Sequence, residues 1–581
     1  MAKAVLVCSR SPFDLPDEAL FLRVADQLTP EGITPRSPVI LSDRCVRLIL
    51  INPPPELRVS GVSACLGLML RPSRDWWKPG SAVPDGTFAL FRCDPDKVEL
   101  VSDILASRTI WYAMDENMLI ASTSQRAIIS FLGEFRLNRS AVAWFLSSGT
   151  PGPETCWDER ICRIAPDSRV VLDRSRWTLK VDSEPVLFAP ENRPSEEWER
   201  LLSAILRQEV TSYDWNEGTW WLTLSGGYDS RCLLMLLHGS LKPHCVTWGL
   251  RSSKDVPGND AYIASRLARH YGLPHDYLET DIAPLPVSVL ARRFLLEGEG
   301  CTDALFAYLD GFSVWREIYS RGCTGTIRGD EAVGSQRLLS ENRTRIYSGM
   351  VLLSDYYGPK DLARFELPEQ EIPEGMRQYP GESLLTYAQR MYALFCYPLI
   401  LASLNTIKAG YVETANPLLS RSIVGMIRRM PDDLIANASL YVKVVSKMSP
   451  QIPFAKLPAD DAMNAYLKER NFVDHIRATL EGGTAAELLP PHILEEMSRQ
   501  VKEDSRKHAG LRMHVALKRL LPTWVVQQSR KVRNMVPDRS LLALRAMLVC
   551  ELVDIFNEDA GLLERNGRSL LETPPKACLS L

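Results

Sequence analysis

The densest chemistry in the chain lies in residues 219–238, which read Thr-Trp-Trp-Leu-Thr-Leu, then Ser225-Gly226-Gly227-Tyr228-Asp229-Ser230, then Arg-Cys-Leu-Leu-Met-Leu-Leu-His. Two glycines permit a tight turn and the close approach of a ligand. Ser225 and Ser230 add hydroxyls beside the free backbone N–H groups of a starting helix. With Leu224 leading into it, such a turn is a phosphate cradle. A carboxylate at Asp229 would repel phosphate unless a cation lay between them, so its position suggests a Mg²⁺ ion bridging protein and nucleotide. It is not the Walker loop, because no Lys-Ser/Thr pair follows a Gly-x4-Gly spacing. A chance Gly-rich turn is the plain alternative. A second turn, Gly325-Thr326-Ile327-Arg328-Gly329-Asp330-Glu331-Ala-Val-Gly334, carries an acidic pair between glycines, an arrangement that is common by itself.

The elements that must position these groups follow from periodicity. Residues 219–224 have the composition of a short buried strand, and Cys232, Leu233, Leu236 and Leu237 repeat at helical spacing. A second strand is expected over 243–250, a helix over 260–271 ending at Gly272, and a third strand over 275–278. Strand, helix, strand at this spacing implies a parallel, doubly wound sheet with ligand at the C-terminal strand ends. Residues 1–190 instead alternate short apolar runs (5–7, 46–51, 62–70, 88–91, 119–122, 169–172) with turn signals, a β-rich layered domain with a helix near 140–146. Residues 188–195 read as a linker, 196–212 as an amphipathic helix and 387–404 as a long apolar helix. From about 461 the chain reads as helical over 467–480, 485–498, 513–521 and 541–556. The basic residues Arg506, Lys507, Arg512, Lys518, Arg519, Arg530, Lys531 and Arg533 form there either a solvated face or a receiver for an acidic partner.

Composition narrows the function classes. A net charge of −3 gives no global electrostatic case for nucleic acid or an anionic membrane. The only early apolar run, residues 4–8, is too short for a signal segment, and no later segment is expected to span a bilayer, so the chain reads as cytoplasmic. Thirteen cysteines scatter singly without a Cys-x-x-Cys pair, which fits reduced thiols rather than a disulfide framework or zinc knuckle. With eight histidines and no His-x-x-x-His motif, oxygen-bound Mg²⁺ is the metal to expect.

The Ser225–Ser230 loop resembles the pyrophosphate loop of N-type ATP pyrophosphatases, and the 325–334 turn resembles a Ser-Gly-Glu-Gly-Ser-Asp-Glu-x-x-Gly loop of asparagine synthetases. Segments at 86–90, 101–105, 111–112, 119–124 and 164–172 resemble the glutaminase-like domain that precedes the synthetase domain there. The resemblance, over roughly 60–460, implies an α/β protein of three parts. These are a degenerate Ntn-hydrolase-like (glutaminase-type) domain over 1–190, a doubly wound parallel-sheet ATP pyrophosphatase domain over 191–460, and a helical C-terminal extension over 461–581. It places Asp229 and Asp330 on Mg²⁺, Gly325 and Thr326 against nucleotide, and Trp248 against adenine, although a strand Trp is also ordinary core. Residues 411–421 keep only Glu413, Pro417 and Leu419 of the motif Val-Glu-x-Arg-x-Pro-Phe-Leu-Asp; Glu413 could position substrate or serve as a buried hydrogen-bonding group. After the Pro-containing segment 450–456, Lys456 matches the lysine that faces departing pyrophosphate, with Lys443 second.

Two departures bear on substrate. Glutaminases of that family use a thiol at the residue after the initiator Met, where this chain has Ala2, so the first domain is expected to be a scaffold or docking unit rather than a glutaminase. Ile327 stands where asparagine synthetases carry a glutamate beside aspartate. The expected chemistry is adenylation of a carboxylate followed by attack of an amine, with the amine already on the substrate. Lasso peptide cyclases share the Ser-Gly-Gly-Tyr-Asp-Ser-Arg and Arg-Gly-Asp-Glu segments, implying a precursor peptide and a leader peptidase as partners. A β-lactam synthetase, an asparagine synthetase and a non-catalytic scaffold are the alternatives.

Overall fold

The computed structural model describes residues 3–55, 57–213, 215, 220–239, 241–330, 334, 338, 340–459, 469–509 and 540–564. The expected helix over 513–521 and the basic residues from Arg512 to Arg533 lie outside them, as does Glu331.

The run 4–8 is apolar at every position because its strand is covered on both faces. Ala4, Leu6 and Cys8 pack with Leu48, Leu66, Phe91 and Leu100 between two sheets, whereas Val5 and Val7 face a helical layer containing Phe21, Val24, Ile128 and Phe145. The first sheet runs, in spatial order, Cys162–Arg163, Trp111–Met114, Met118–Ser122, Lys3–Ser9, Val46–Ile51 and Val39–Ser42. The second runs Thr178–Ser183, Ser168–Asp173, Lys97–Ser102, Asp85–Cys93, Ser63–Leu70 and Arg58–Ser60. All of their pairings are antiparallel. The helices Glu18–Gln27, Gln125–Leu132 and Arg139–Ser148 cover the outer face of the first sheet.

The third sheet is parallel throughout, with the order His275–Glu279, His244–Gly249, Trp220–Thr223, Gly325–Ile327, Glu413–Ala415. In chain order these are the third, second, first, fourth and fifth strands, so the direction of winding reverses between Trp220–Thr223 and Gly325–Ile327. That is where ligands bind in open α/β sheets. Alternation along Trp220–Thr223 places Trp220 and Leu222 against Cys232, Leu233 and Leu237 of the following helix, while Trp221 packs on the opposite face and stacks on His244 with ring centroids 4.1 Å apart. Both faces are therefore buried, as a doubly wound sheet requires. The molecule is a mixed α/β fold of one parallel and two antiparallel sheets.

The apolar stretch expected as one helix is built as Leu384–Met391, a π-helical run Tyr392–Leu401 containing Pro398, and Ala402–Ala409. A proline removes a helical hydrogen bond, and the wider π turn accommodates it. Contrary to the expectation from sequence, Leu384–Ala409 is long and apolar enough to cross a membrane; 67% of its most apolar window is buried inside the protein. The helix Ser540–Glu564, apolar around most of its circumference, packs into the core shared with Gln125–Leu132.

Candidate nucleotide-binding crevice

A crevice of about 250 Å³ opens at the reversal point, lined by Thr223, Leu224, Ser225, Asp229, Ser230, Val246, Thr247, Trp248, Asp260, Arg328, Gly329, Asp330 and Ala459. The strand Trp220–Thr223 ends, the loop turns through Ser225-Gly226-Gly227, and the helix Tyr228–Leu237 begins. Gly227 caps that helix without a side chain, and Ser230 Oγ folds back to accept from Ser225 N at 2.9 Å. The first-turn N–H groups are thus left for a ligand at the positive end of the helix. Gly226 N donates to Asp260 Oδ1 at 3.1 Å and Gly227 N to Ser225 Oγ at 3.2 Å. Thr247 Oγ1 donates to Leu224 O at 2.6 Å, fixing the residue that enters the loop.

Residues 452–459 clasp the loop from outside. Ala455 N donates to Gly226 O at 2.9 Å, Lys456 N to Gly258 O at 2.9 Å, and Asp260 N to Leu457 O at 3.0 Å. Phe454 stacks on Tyr228 at 4.0 Å between centroids, and the Arg231 guanidinium lies 3.8 Å from the Phe454 centroid while donating to Ile452 O and Pro453 O. A side chain at position 226 would stand 2.5 Å from Ala455 Cβ, and one at 329 would stand 2.7 Å from the backbone of Asp229. Glycine is required at both, because two loops approach there within van der Waals distance.

Burial pushes the Asp229 carboxyl up to about 7; a Tyr441 hydrogen bond opposes this and the Asp330 charge adds to it. Burial also acts upward on Asp330, but Arg328, whose Nη2 lies 3.0 Å from Asp330 Oδ1, outweighs it and holds that carboxyl low. Asp330 Oδ2 is buried without a hydrogen-bond partner. Two carboxylates that disfavour each other's charge, one with an orphaned oxygen, suit an oxygen-ligated divalent cation whose remaining positions go to water and phosphate. No cluster of three or more His, Cys, Asp or Glu exists among the described residues.

Several expected site residues lie elsewhere. Gly325 and Thr326 are interior strand positions: Gly325 packs against the Trp220 ring and Thr326 is fully buried, donating to Glu413 O. The crevice is reached only past the strand end, by Arg328, Gly329 and Asp330. Glu413 begins the last strand, at the sheet end opposite the crevice, and is buried against Arg108 of the N-terminal half. The pair outweighs the upward effect of burial and holds Glu413 down to about 2. Lys443 is exposed and bridges to Glu199 at 2.8 Å on the outer helical face, so it is a surface ion pair rather than a crevice group. Lys456 flanks the loop through its backbone, with an exposed side chain outside the crevice lining. Leu224, Ser225, Asp229, Ser230, Trp248 and Asp330 do meet in the crevice, with Gly226, Gly227 and Tyr228 in the loop wall.

Sequence reasoning missed Asp260 and Arg328. The Gly258-Asn259-Asp260 start of an amphipathic helix carried a signal for the first, as helix-start chemistry beside a ligand loop. Arg328 lies in the Arg-Gly-Asp-Glu segment without a role of its own assigned there, and nothing in the sequence marked Lys408, a 6% exposed lysine whose pKa burial and Arg328 drive far down, against the pull of Asp330.

A parallel sheet with a glycine-rich strand-to-helix loop and two facing carboxylates at its reversal point, joined to two packed antiparallel sheets, defines the class: a mixed α/β architecture. No family model matches the chain, and no curated protein matches it. Solved structures that align include glutamine phosphoribosylpyrophosphate amidotransferase from B. subtilis complexed with ADP and GMP, at 9% identity and TM-score 0.19, covering 47% of this chain and 65% of that one. Another, the allosteric regulatory enzyme of purine biosynthesis, aligns at 8% identity and TM-score 0.21, covering 48% and 81%. The alignment with the first spans less than two thirds of its length. At these scores neither likeness carries a functional argument.

Proposed function

We propose that the chain is an ATP-dependent, AMP-forming carbon–nitrogen ligase that adenylates a carboxylate and joins it to an amine, and that its substrate is a lasso precursor peptide. The observation that supports this best is the meeting of the Ser225–Ser230 loop with Asp330 at the sheet reversal. In this reading the sandwich is a glutaminase-type domain that serves as scaffold. The first-turn N–H groups and the hydroxyls of Ser225 and Ser230 bind phosphate oxygens, Trp248 borders the adenine, and Asp229 and Asp330 hold Mg²⁺, which supplies charge neutralisation between the phosphates when bound. Arg328 adds positive charge where the substrate carboxylate meets the α-phosphate. Lys456, whose exposed side chain extends from the segment flanking the loop, is the group assigned to the departing pyrophosphate. The protein's contribution is positioning and preorganised charge. Ile327 is fully buried in the sheet, so the glutamate that would recognise free aspartate has no counterpart there. An internal Asp or Glu side chain joined to the peptide's own N-terminal amine, after a leader peptidase exposes that amine, satisfies the same chemistry.

The test is mass spectrometry of a candidate peptide with a free N-terminus and an internal Asp or Glu, incubated with the chain, its peptidase and Mg-ATP. Loss of one water with release of AMP and pyrophosphate is expected, and Asp229→Ala should abolish both. AMP formation driven by aspartate and ammonia, with peptides unchanged, would replace cyclisation by asparagine synthesis.

A further inference from the structure

The helix Asp260–His270 starts beside the glycine-rich loop, and Asn259 and Asp260 take different partners there. Asn259 caps the helix: its Oδ1 accepts from Tyr262 N at 2.9 Å, and its Nδ2 donates to Ser253 O. The Asp260 carboxylate is thereby released from capping and turns to the crevice, where its Oδ1 accepts from Gly226 N at 3.1 Å. Its backbone bonds in another direction, Asp260 N donating to Leu457 O at 3.0 Å beside a parallel β-bridge between Asn259 and Leu457. The segment 455–459 closes the ring, with Ala455 N on Gly226 O and Lys456 N on Gly258 O, each at 2.9 Å. Its far end, Ala459 O, accepts from Leu250 N at 3.2 Å, just past the strand His244–Gly249. Gly226 is thus held at both its N–H and its carbonyl by residues outside the loop.

We propose that Asp260 is a positioning residue: its carboxylate sets the Gly226 peptide and its backbone sets the segment that carries Lys456, so that the phosphate loop and Lys456 form one hydrogen-bonded unit. With Gly226 N occupied, the N–H groups left for phosphate are those of the first helical turn. Bonds already made before a ligand arrives add no ordering cost when it binds. The inference rests on the ligase reading above for what the loop and Lys456 act upon.

The experiment compares the full chain with Asp260→Ala and Asp260→Asn. Asparagine keeps an acceptor oxygen at the same reach, and alanine keeps none. Amide hydrogen exchange needs no nucleotide. Asp260→Ala is expected to speed exchange at Gly226, Ala455 and Lys456 together by at least about tenfold, and Asp260→Asn to restore most of the protection. No change at these amides, a change at Gly226 alone, or an asparagine variant no better than alanine would overturn the proposal. Equilibrium dialysis of Mg-ATP and the rate of AMP release are read alongside. Asp260→Ala is expected to bind Mg-ATP at least about tenfold more weakly and to lower kcat, whereas a merely structural residue would move the melting temperature and neither of these. The kcat loss should not add to that of Lys456→Ala in the double variant, because Asp260 acts on the rate through Lys456. Should Asp260→Ala fail to fold, Asp260→Ser, one atom too short to reach Gly226 N, carries the comparison. Exchange as expected in a chain that binds no Mg-ATP or releases no AMP sinks the ligase reading alone. Mg-ATP binding and AMP release left intact in Asp260→Ala sink the positioning role alone.

Discussion

Asp229 carries two demands that conflict. The proposed reaction assigns its carboxylate to a cation, yet burial and the neighbouring Asp330 raise it from 3.8 to about 7. Between those values the folded chain holds a proton there that the unfolded chain releases. The contribution to stability is therefore full below about pH 4 and is lost as pH rises through about 7. Asp229→Asn, which cannot ionise, should raise the melting temperature by a few degrees at pH 8 and leave it nearly unchanged at pH 4. Equal shifts at both pH values would show that charge at this position is not what strains the fold. Gly329 makes a different prediction. A methyl group there meets the Asp229 backbone at 2.7 Å, so Gly329→Ala should separate the two loops and weaken Mg-ATP binding at least about tenfold, about 1.4 kcal/mol in affinity, with little loss of secondary structure.

At the scale of elements, the clasp 452–459 holds the loop by backbone hydrogen bonds and by Phe454 between Tyr228 and Arg231. An aromatic pair and a cation–π contact are each worth about 0.5–1.5 kcal/mol beyond burial, so Phe454→Ala should cost roughly 2 kcal/mol in urea unfolding and loosen ATP binding as well. A variant that loses stability but binds ATP unchanged would show the clasp to be packing only. Lys456 sits on the same clasp. Lys456→Ala should lower kcat for AMP release by roughly 100-fold while leaving ATP binding intact, the pattern of a group that acts on the departing phosphate.

The whole molecule is joined by buried ion pairs that cross between its halves. Arg108 of the sandwich meets Glu413 of the parallel sheet, Arg126 meets Asp559 of the C-terminal helix, and Lys3 meets Glu299. Removing one partner leaves an uncompensated charge in the core, which costs about 3–5 kcal/mol. Arg108→Met should destabilise the chain by that amount, and Arg108→Met with Glu413→Leu should recover most of it. The pair's stability is complete above the unfolded carboxyl value of 4.5 and fades as pH falls toward 2. A single cooperative transition is expected for the full chain, because these pairs and the shared core tie the C-terminal helix to the first sheet's helices.

The local elements were written in the sequence because they depend on neighbours. Period-2 and period-3.6 patterns gave strands at 46–51 and 244–249 and the helix Asp260–His270 within a residue or two, and a serine–glycine turn gave the loop. The strand order was only implied, through the rule for parallel crossovers, and the structure supplies its five-strand extent. Long-range pairing decided the rest. From sequence Glu413 could position substrate or serve as a buried hydrogen-bonding group, and its partner, Arg108, is 305 residues away. Lys443 and Lys456 are chemically alike in sequence, and only packing sets one on an outer face against Glu199 and the other beside the loop. Gly325 and Asp330 share one motif, but a strand end separates them, so one lies in the sheet and the other in the crevice. Residue type and spacing fix what chemistry a segment can offer. Which end of a strand faces the ligand, and which charge already has a counter-charge, are properties of distance in space, and only the folded chain determines them.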